Sequence, residues 1–324
     1  MLEIVKNIKV PTGNILIVNG QRGKLELLSI GDYGQAVNLN QHKKVVHQEM
    51  LPLEEKWVIT ISTQYGCSIG CSFCDVPKVG PGVNATAEDL IGQIEAGLSL
   101  HPDVETKRLN VHFARMGEPT FNNAIFDCAG WLHRQQGKRY RLIHPVISTM
   151  MPSGNHNLSG FIHDWMRFKN GPCNGDAGLQ ISINSTNEEE RRQMFNDNAL
   201  PLSKISAIAG FIKPRGRKIT LNFAVAEWEI NPDVLRRYFD PDIFIIKLTP
   251  MHKTLQAIEN GIRTVGDYTE SYPYENHEAA LRAAGFDVLV FIASVEEDLG
   301  RITCGNAILS GSMPGLEGMF EVRG

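Results

Sequence analysis

The sequence contains no apolar run of 18 residues, the length a bilayer-crossing helix needs. Its opening residues, MLEIVKNIKVPTG, carry no apolar stretch of the kind found in a secretory leader. The expected location is therefore cytoplasmic. Cysteine is scarce: six in 324 residues, at spacings that suggest no disulfide framework, in a chain too long to need one. An excess of positive charge is missing too. The formal net charge is −4 at pH 7, and the isoelectric point near 6.2 disfavours a large phosphate-binding face while leaving room for a local basic patch. Internal repeats and low-complexity tracts are absent, which excludes solenoids and disordered arrays. What remains is ordinary for a protein with a sizeable core: 42% hydrophobic and 21% charged residues.

Residues 1–52 read as a small β-rich extension, in which NILIVNG, KLELLSI and QAVNLN place apolar residues between Gly and Asn turn signals. WVITIS then reads as a buried strand. From there strands and helices alternate. A helix is predicted over residues 86–100, with Thr86 and Asp89 spaced as a capping box. Strands are predicted over 107–114, 141–148 and 179–184, separated by helical segments such as FNNAIFDCAGWLHRQ and LSGFIHDWMRF. PLSKISAIAGFIK, KITLNFAVA, NPDVLRRYF and IFIIKLT continue the rhythm, and NHEAALRAAG stops at a glycine before FDVLVFIA. This alternation implies an α/β fold in residues 53–324, with a parallel sheet wrapped by helices, either a barrel or an open doubly wound sheet.

Three of the six cysteines, Cys67, Cys71 and Cys74, fall within TQYGCSIGCSFCDVPKVG, just after the first strand of that body. In a parallel α/β fold this is the edge where ligands bind. Thiolates spaced C-x3-C-x2-C converge on a compact soft-metal centre. An Fe–S cluster normally takes four cysteines, so three would leave one iron with an open coordination position. The alternatives are a zinc site completed by Asp75 or a histidine, or plain loop cysteines. A structural zinc site usually draws its second ligand pair from another short-spaced motif, and Cys128, Cys173 and Cys304 are scattered singly.

With its aromatic Phe73, the stretch resembles the C-x3-C-x-aromatic-C signature of radical S-adenosylmethionine (SAM) enzymes. STQYGCSIGCSFC, MGEPTFN, ISTMMP, LQISINSTNEEER, KLTPMH and ITCGNAIL also occur in the order of motifs in the RlmN/Cfr-like adenine methyltransferases. The likeness covers roughly residues 55–310. It implies a partial (β/α)6 barrel and a 4Fe–4S cluster held by Cys67, Cys71 and Cys74. SAM would bind the open iron and be cleaved to a 5′-deoxyadenosyl radical, with the electron coming from an external donor such as flavodoxin or ferredoxin. Carried over residue by residue, Glu118 resembles the carboxylate that holds the SAM amino group. Ser148 and Ser182 resemble the hydroxyls that bind its carboxylate and ribose. His252 stands where the family has a SAM-contacting asparagine, and Asn184 stands where it has a histidine. Cys304 matches the cysteine that carries a methyl group to the adenine of RNA.

The chain departs from that pattern in three further places. Thr60 occupies the position of a second cysteine that resolves the protein–RNA crosslink through a disulfide, and a hydroxyl cannot do so. Cys173, in the glycine-rich NGPCNGDAG, is the candidate replacement. Arg115 replaces a glycine, where it could hold a substrate anion or pair with Glu118. The family's N-terminal RNA-binding domain is reduced to about 50 residues. The basic runs HRQQGKRYR and KPRGRK precede strands and so belong to the face away from the site, while Tyr268, Tyr272 and Tyr274 could stack on a base or pack their long loop. The implied substrate is RNA or, if the scaffold serves other radical chemistry, a small nucleoside or metabolite. In that case Cys304 would be a hydrogen donor or a structural thiol.

Overall fold

A computed structural model describes residues 1–32, 38–39, 45–46, 50–263, 273–292, 300–303, 305, 307–311 and 322–323. The chain opens with strands β1 (Glu3–Val10), β2 (Gly13–Gly20) and β3 (Gly23–Ile30), followed by the two-residue pair β4 (Asn38–Leu39) and β5 (Val45–Val46). Next come β6 (Trp57–Ile61), a small pair β7 (Gln64–Gly66) and β8 (Pro81–Asn84), and helix α1 (Ala87–Leu98). Then follow β9 (Thr106–Phe113), α2 (Ala124–Gln135), β10 (Tyr140–Thr149), α3 (Leu158–Asn170) and β11 (Gly178–Ser182). The remaining elements are α4 (Glu188–Met194), α5 (Leu202–Ala209), β12 (Ile219–Val225), α6 (Pro232–Tyr238), β13 (Phe244–Pro250), α7 (Leu255–Glu259), α8 (Tyr274–Ala283), β14 (Asp287–Val290) and β15 (Val322–Arg323).

One 11-stranded sheet runs in the order β14-β13-β12-β11-β10-β9-β6-β3-β2-β1-β15. From β6 to β14 every pairing is parallel, and each step crosses through helix. This amounts to six βα units and a closing strand, the partial barrel expected from the resemblance, and among the described residues β14 has a strand neighbour on one side only. β3 pairs antiparallel with β6, Leu28 opposite Thr60, so the N-terminal strands continue the barrel's own sheet.

The crossover helices form for local reasons. In α1 the Thr86 hydroxyl accepts from the Asp89 amide and the Asp89 carboxylate accepts from Thr86 N–H, both at 3.1 Å, the predicted capping box. Leu90, Ile94 and Leu98 then repeat every fourth residue and are buried on the sheet. Each contributes about 1.5–3 kcal/mol on full burial. Strand residues facing the helices, such as Ile59, Val111, Leu221 and Ile246, are fully buried. The opposite phase is polar: Asn110, His112, Gln180, Asn222 and Lys247 border cavities inside the curved sheet. A parallel sheet covered on both faces normally carries apolar residues in both phases, so this barrel interior is shaped to hold a polar guest.

Candidate active site

The loop of residues 67–80 leaves β7 through a tight neck. Cys67 N–H donates to the Gly80 carbonyl at 3.1 Å. Gly66 has φ +82°, and a Cβ on it would fall 2.1 Å from that carbonyl oxygen, so only glycine closes the neck. The loop body is pinned from two sides. Ser72 N–H donates to Met194 O at 2.9 Å, and Asn198 Nδ2 donates to Ile69 O at 3.1 Å. On the other side Thr254 Oγ1 donates to Phe73 O and Asn260 Nδ2 to Ser72 O, both at 2.7 Å. Asp75 is fully buried, and its carboxylate accepts from Leu255 N–H (3.1 Å) and Gln256 N–H (2.8 Å) at the start of α7. That carboxylate is engaged in holding the loop, which disfavours it as a zinc ligand.

Cys67, Cys71 and Cys74 are half-buried thiols outside any disulfide, and all three border one cavity of ≈ 320 Å³. Ile69, Met150, Met194 and Phe195 form an apolar shield around them, with Phe73 edge-on to Phe195 at 5.9 Å. Among the described residues no three His, Cys, Asp or Glu side chains stand close enough to grip a single ion. The three ligands of a 4Fe–4S cubane bind three different irons, so their sulfurs stand wider apart than those of one zinc. Three thiols bordering one cavity, set too far apart to grip a single ion, therefore fit a cluster better than the zinc alternative.

Glu118 borders the same cavity from the turn after β9. Gly117, at φ +93°, permits that turn, since a Cβ there would lie 2.5 Å from Gln64 Cβ. The carboxylate is 4% exposed. It accepts from Thr120 N–H (3.1 Å), Thr120 Oγ1 (2.8 Å) and Met150 N–H (3.1 Å). Burial pushes its pKa up while hydrogen bonding, first from the Thr149 hydroxyl and then from Met150 and Thr120, pulls it down, and burial wins. A buried carboxylate in this state favours a cationic partner. Ser148, the penultimate residue of β10, and Ser182, the last of β11, also border this cavity, as does Thr60. His252 lines the adjoining cavity of ≈ 380 Å³ together with Ser182 and Asn184. The Asn184 side chain, at φ +61°, accepts from Ala224 N–H at 2.9 Å and so braces the end of β12.

His112, Lys247 and Asn222 were not singled out from the sequence, yet they border both cavities. Burial, followed by the charge of Lys247, drives the His112 pKa down to about 3, so its ring is neutral. Asn222 Oδ1 is a buried acceptor without a hydrogen-bond partner among the described residues, an atom that a ligand N–H or O–H would satisfy. The signal lay in the polar phase of strands such as KITLNFAV and FIIKLTP.

Other expected residues lie elsewhere. Arg115 pairs with Glu26 of β3 rather than with Glu118, and it also borders the cavity of the three cysteines. Cys173 follows α3 and precedes β11, at the end of the barrel away from the cluster loop. Burial pushes its thiol up to about 11. Cys128 is fully buried in α2. Tyr274 is packed with no exposed surface, whereas Tyr268, Tyr272 and Cys304 lie outside the described residues. Thr303 and Gly305, on either side of Cys304, border the two adjoining cavities. Of the basic runs, Arg139 stacks over Trp57 and Tyr140, and Lys218 pairs with Asp287 at 2.6 Å.

A dual-specificity RNA methyltransferase RlmN from Wolinella succinogenes is 38% identical over 184 residues, 55% of this chain and 46% of that protein. One from Sulfurovum sp. is 26% identical over 226 residues, 67% of this chain and 58% of that protein. The chain is thus similar in sequence to RNA methyltransferases named RlmN. It spans about half the length of the curated relatives it matches. No protein-family profile matches it. The crystal structure of a radical SAM methyltransferase from Sphaerobacter thermophilus shares the fold, with a TM-score of 0.63 and 17% identity over 94% of this chain and 80% of that one.

Proposed function

We propose that this RlmN relative is a radical SAM methyltransferase that modifies an adenine of RNA through a methyl group carried on Cys304. The observation that carries this reading is one cavity bordered by Cys67, Cys71, Cys74, Glu118, Thr60 and Gly305. The three thiolates would hold a 4Fe–4S cluster, which when bound supplies the electron that cleaves SAM to a 5′-deoxyadenosyl radical. The Glu118 carboxylate accepts the SAM ammonium in a charge-assisted hydrogen bond. Ser148 and Ser182 present hydroxyls from adjacent strand ends to its carboxylate and ribose. His252 lies at the wall of the adjoining cavity, where the substrate base would enter. The Phe73, Phe195 and Met150 wall excludes water, which protects a radical from quenching. An external flavodoxin- or ferredoxin-type donor supplies the electron. Among the described residues no helix is long and apolar enough to cross a membrane, and the site is read as cytoplasmic.

A second reading is favoured by the thiol inventory. The chain has six cysteines in all. Three are assigned to the cluster, Cys128 is sealed in a helix, and Cys173 is at the other end of the barrel, so no thiol is placed to resolve a Cys304 crosslink. On that reading Cys304 donates a hydrogen atom to a substrate radical, and the substrate is a small nucleoside or metabolite. The two readings separate when anaerobically reconstituted protein is incubated with reductant and methyl-deuterated SAM and its Cys304 peptide is weighed by mass spectrometry. A deuterated methyl on Cys304 supports the first. An unlabelled Cys304 alongside 5′-deoxyadenosine rejects it for the second.

A further inference from the structure

Glu26 and Arg115 form an ion pair whose side chains are 0% and 1% exposed. Glu26 comes from β3 of the N-terminal extension, and Arg115 comes from the turn after β9. Arg115 Nε donates to Glu26 Oε1 at 2.9 Å, and Nη2 donates to the same oxygen. The remaining contacts of the pair reach one stretch of chain. Arg115 Nη1 donates to the Thr303 carbonyl at 3.2 Å, and Glu26 Oε2 accepts from Leu309 N–H at 3.0 Å. Between those two points the Gly305 carbonyl accepts from Asp75 N–H at 2.9 Å, and Asp75 directly follows Cys74. Gly305, at φ +91°, is in van der Waals contact with the cluster loop: a Cβ there would stand 3.5 Å from the Phe73 carbonyl oxygen.

A buried ion pair is a poor way to gain stability, because desolvating both charges offsets most of their attraction. An apolar pair of equal volume would pack as well. It could not donate to one backbone carbonyl and accept from one backbone N–H of the same segment in a dry setting. We propose that Glu26 and Arg115 are positioning residues, holding Thr303 and Leu309, on either side of Gly305, against the cluster loop in the sequence neighbourhood of Cys304. This rests on the reading of Cys304 as a reacting residue, and it gives the N-terminal strands a part in the site. The planar fork of arginine is needed because it must serve Glu26 and the Thr303 carbonyl at once. A lysine ammonium can keep the charge but cannot span both acceptors in that geometry.

The test uses full-length wild type, Arg115→Lys and Arg115→Met. Thermal stability, amide hydrogen exchange of a peptide covering residues 301–311, and the ratio of Cys304 label to 5′-deoxyadenosine are measured on each. Positioning predicts that Arg115→Lys melts near wild type, yet its 301–311 amides exchange about tenfold faster or more and its label ratio falls by a similar factor. A merely structural pair predicts that lysine restores all three readouts, which would overturn the proposal. Unchanged exchange in Arg115→Met would overturn it as well. If wild-type Cys304 takes no label, the methyl-carrying reading falls, and the exchange data in Arg115→Lys still decide the positioning claim.

Discussion

Replacing Glu118 by glutamine separates the carboxylate's charge from its shape. In the fold Met150 N–H donates to one of its oxygens, and Thr120 N–H and Oγ1 donate to the other. An amide offers a single oxygen, so its nitrogen must face a donor at one of the two places. Turning the nitrogen toward Met150 leaves that N–H unpaired, at a cost of about 1–2 kcal/mol. The amide also removes a carboxylate whose ionisation burial already opposes, so the net change in stability should stay within about 1–2 kcal/mol of zero. Binding responds differently. Losing a charge-assisted bond to the SAM ammonium costs about 1.5–3 kcal/mol, or about 10- to 100-fold in affinity. Anaerobic calorimetric titration of SAM into both proteins measures it. An analogue lacking the amino group should bind wild type as weakly as SAM binds Glu118→Gln, and should lose nothing further in the variant. Affinity in wild type should rise with pH as Glu118 ionises from its elevated pKa, and stay flat in the variant. If SAM binds Glu118→Gln within twofold of wild type, the ammonium assignment is wrong.

The remaining predictions concern the cluster, the barrel interior and Thr60. Cys71→Ala should lower bound iron and sulfide after reconstitution and abolish 5′-deoxyadenosine, while far-UV circular dichroism stays unchanged, because the loop is pinned by the backbone and side-chain bonds of Ser72, Asn198 and Thr254. His112 and His144, held down to about 3 and about 4 chiefly by burial, stay neutral in the fold but gain a proton on unfolding below about pH 6.5. Each should therefore remove about 2 kcal/mol of stability between pH 6.5 and 5, and His112→Gln should flatten its share of that slope in urea melts followed across this range. Thr60→Cys returns a thiol to the wall of the cluster cavity. If Cys304 forms a crosslink to substrate, the variant should increase release of methylated product in multiple-turnover assays, and an unchanged yield would speak for the hydrogen-donor reading.

The fold was legible where periodicity and caps agree. Thr86 and Asp89 marked α1 because the capping box is local chemistry. The parallel alternation followed because each crossover helix needs a polar outer face and an apolar inner one. The cysteine stretch was legible because three thiols at short spacing have few other uses. Long-range partners were not legible. Nothing local in KLELLSI says that Glu26 reaches Arg115, 89 residues on, since that pairing exists only once β3 lies beside β6. Asp75 likewise reads as a loop carboxylate until α7 arrives to be capped by it. His112, Asn222 and Lys247 were hidden for another reason: on a strand covered on both sides, polar alternation looks like solvent exposure, and only the curvature of the sheet turns that phase inward.

Thr60 lies in β6, next to His112 of β9 and Leu28 of β3, on the wall of the cavity that the cluster cysteines border. Threonine at that position is close to cysteine in size but lacks the redox chemistry of a thiol. Cys173 cannot compensate from the far end of the barrel without unfolding the loop between α3 and β11, where its own N–H bonds the Phe168 carbonyl at 3.1 Å. The proposed site therefore combines a candidate cluster loop and a candidate SAM-binding carboxylate with no thiol at Thr60 for a final step. Either a thiol from outside the chain enters the cavity to release the product, or the reaction forms no crosslink at all. The two differ in one observable: whether adding a small thiol to Thr60-containing enzyme accelerates turnover after the first.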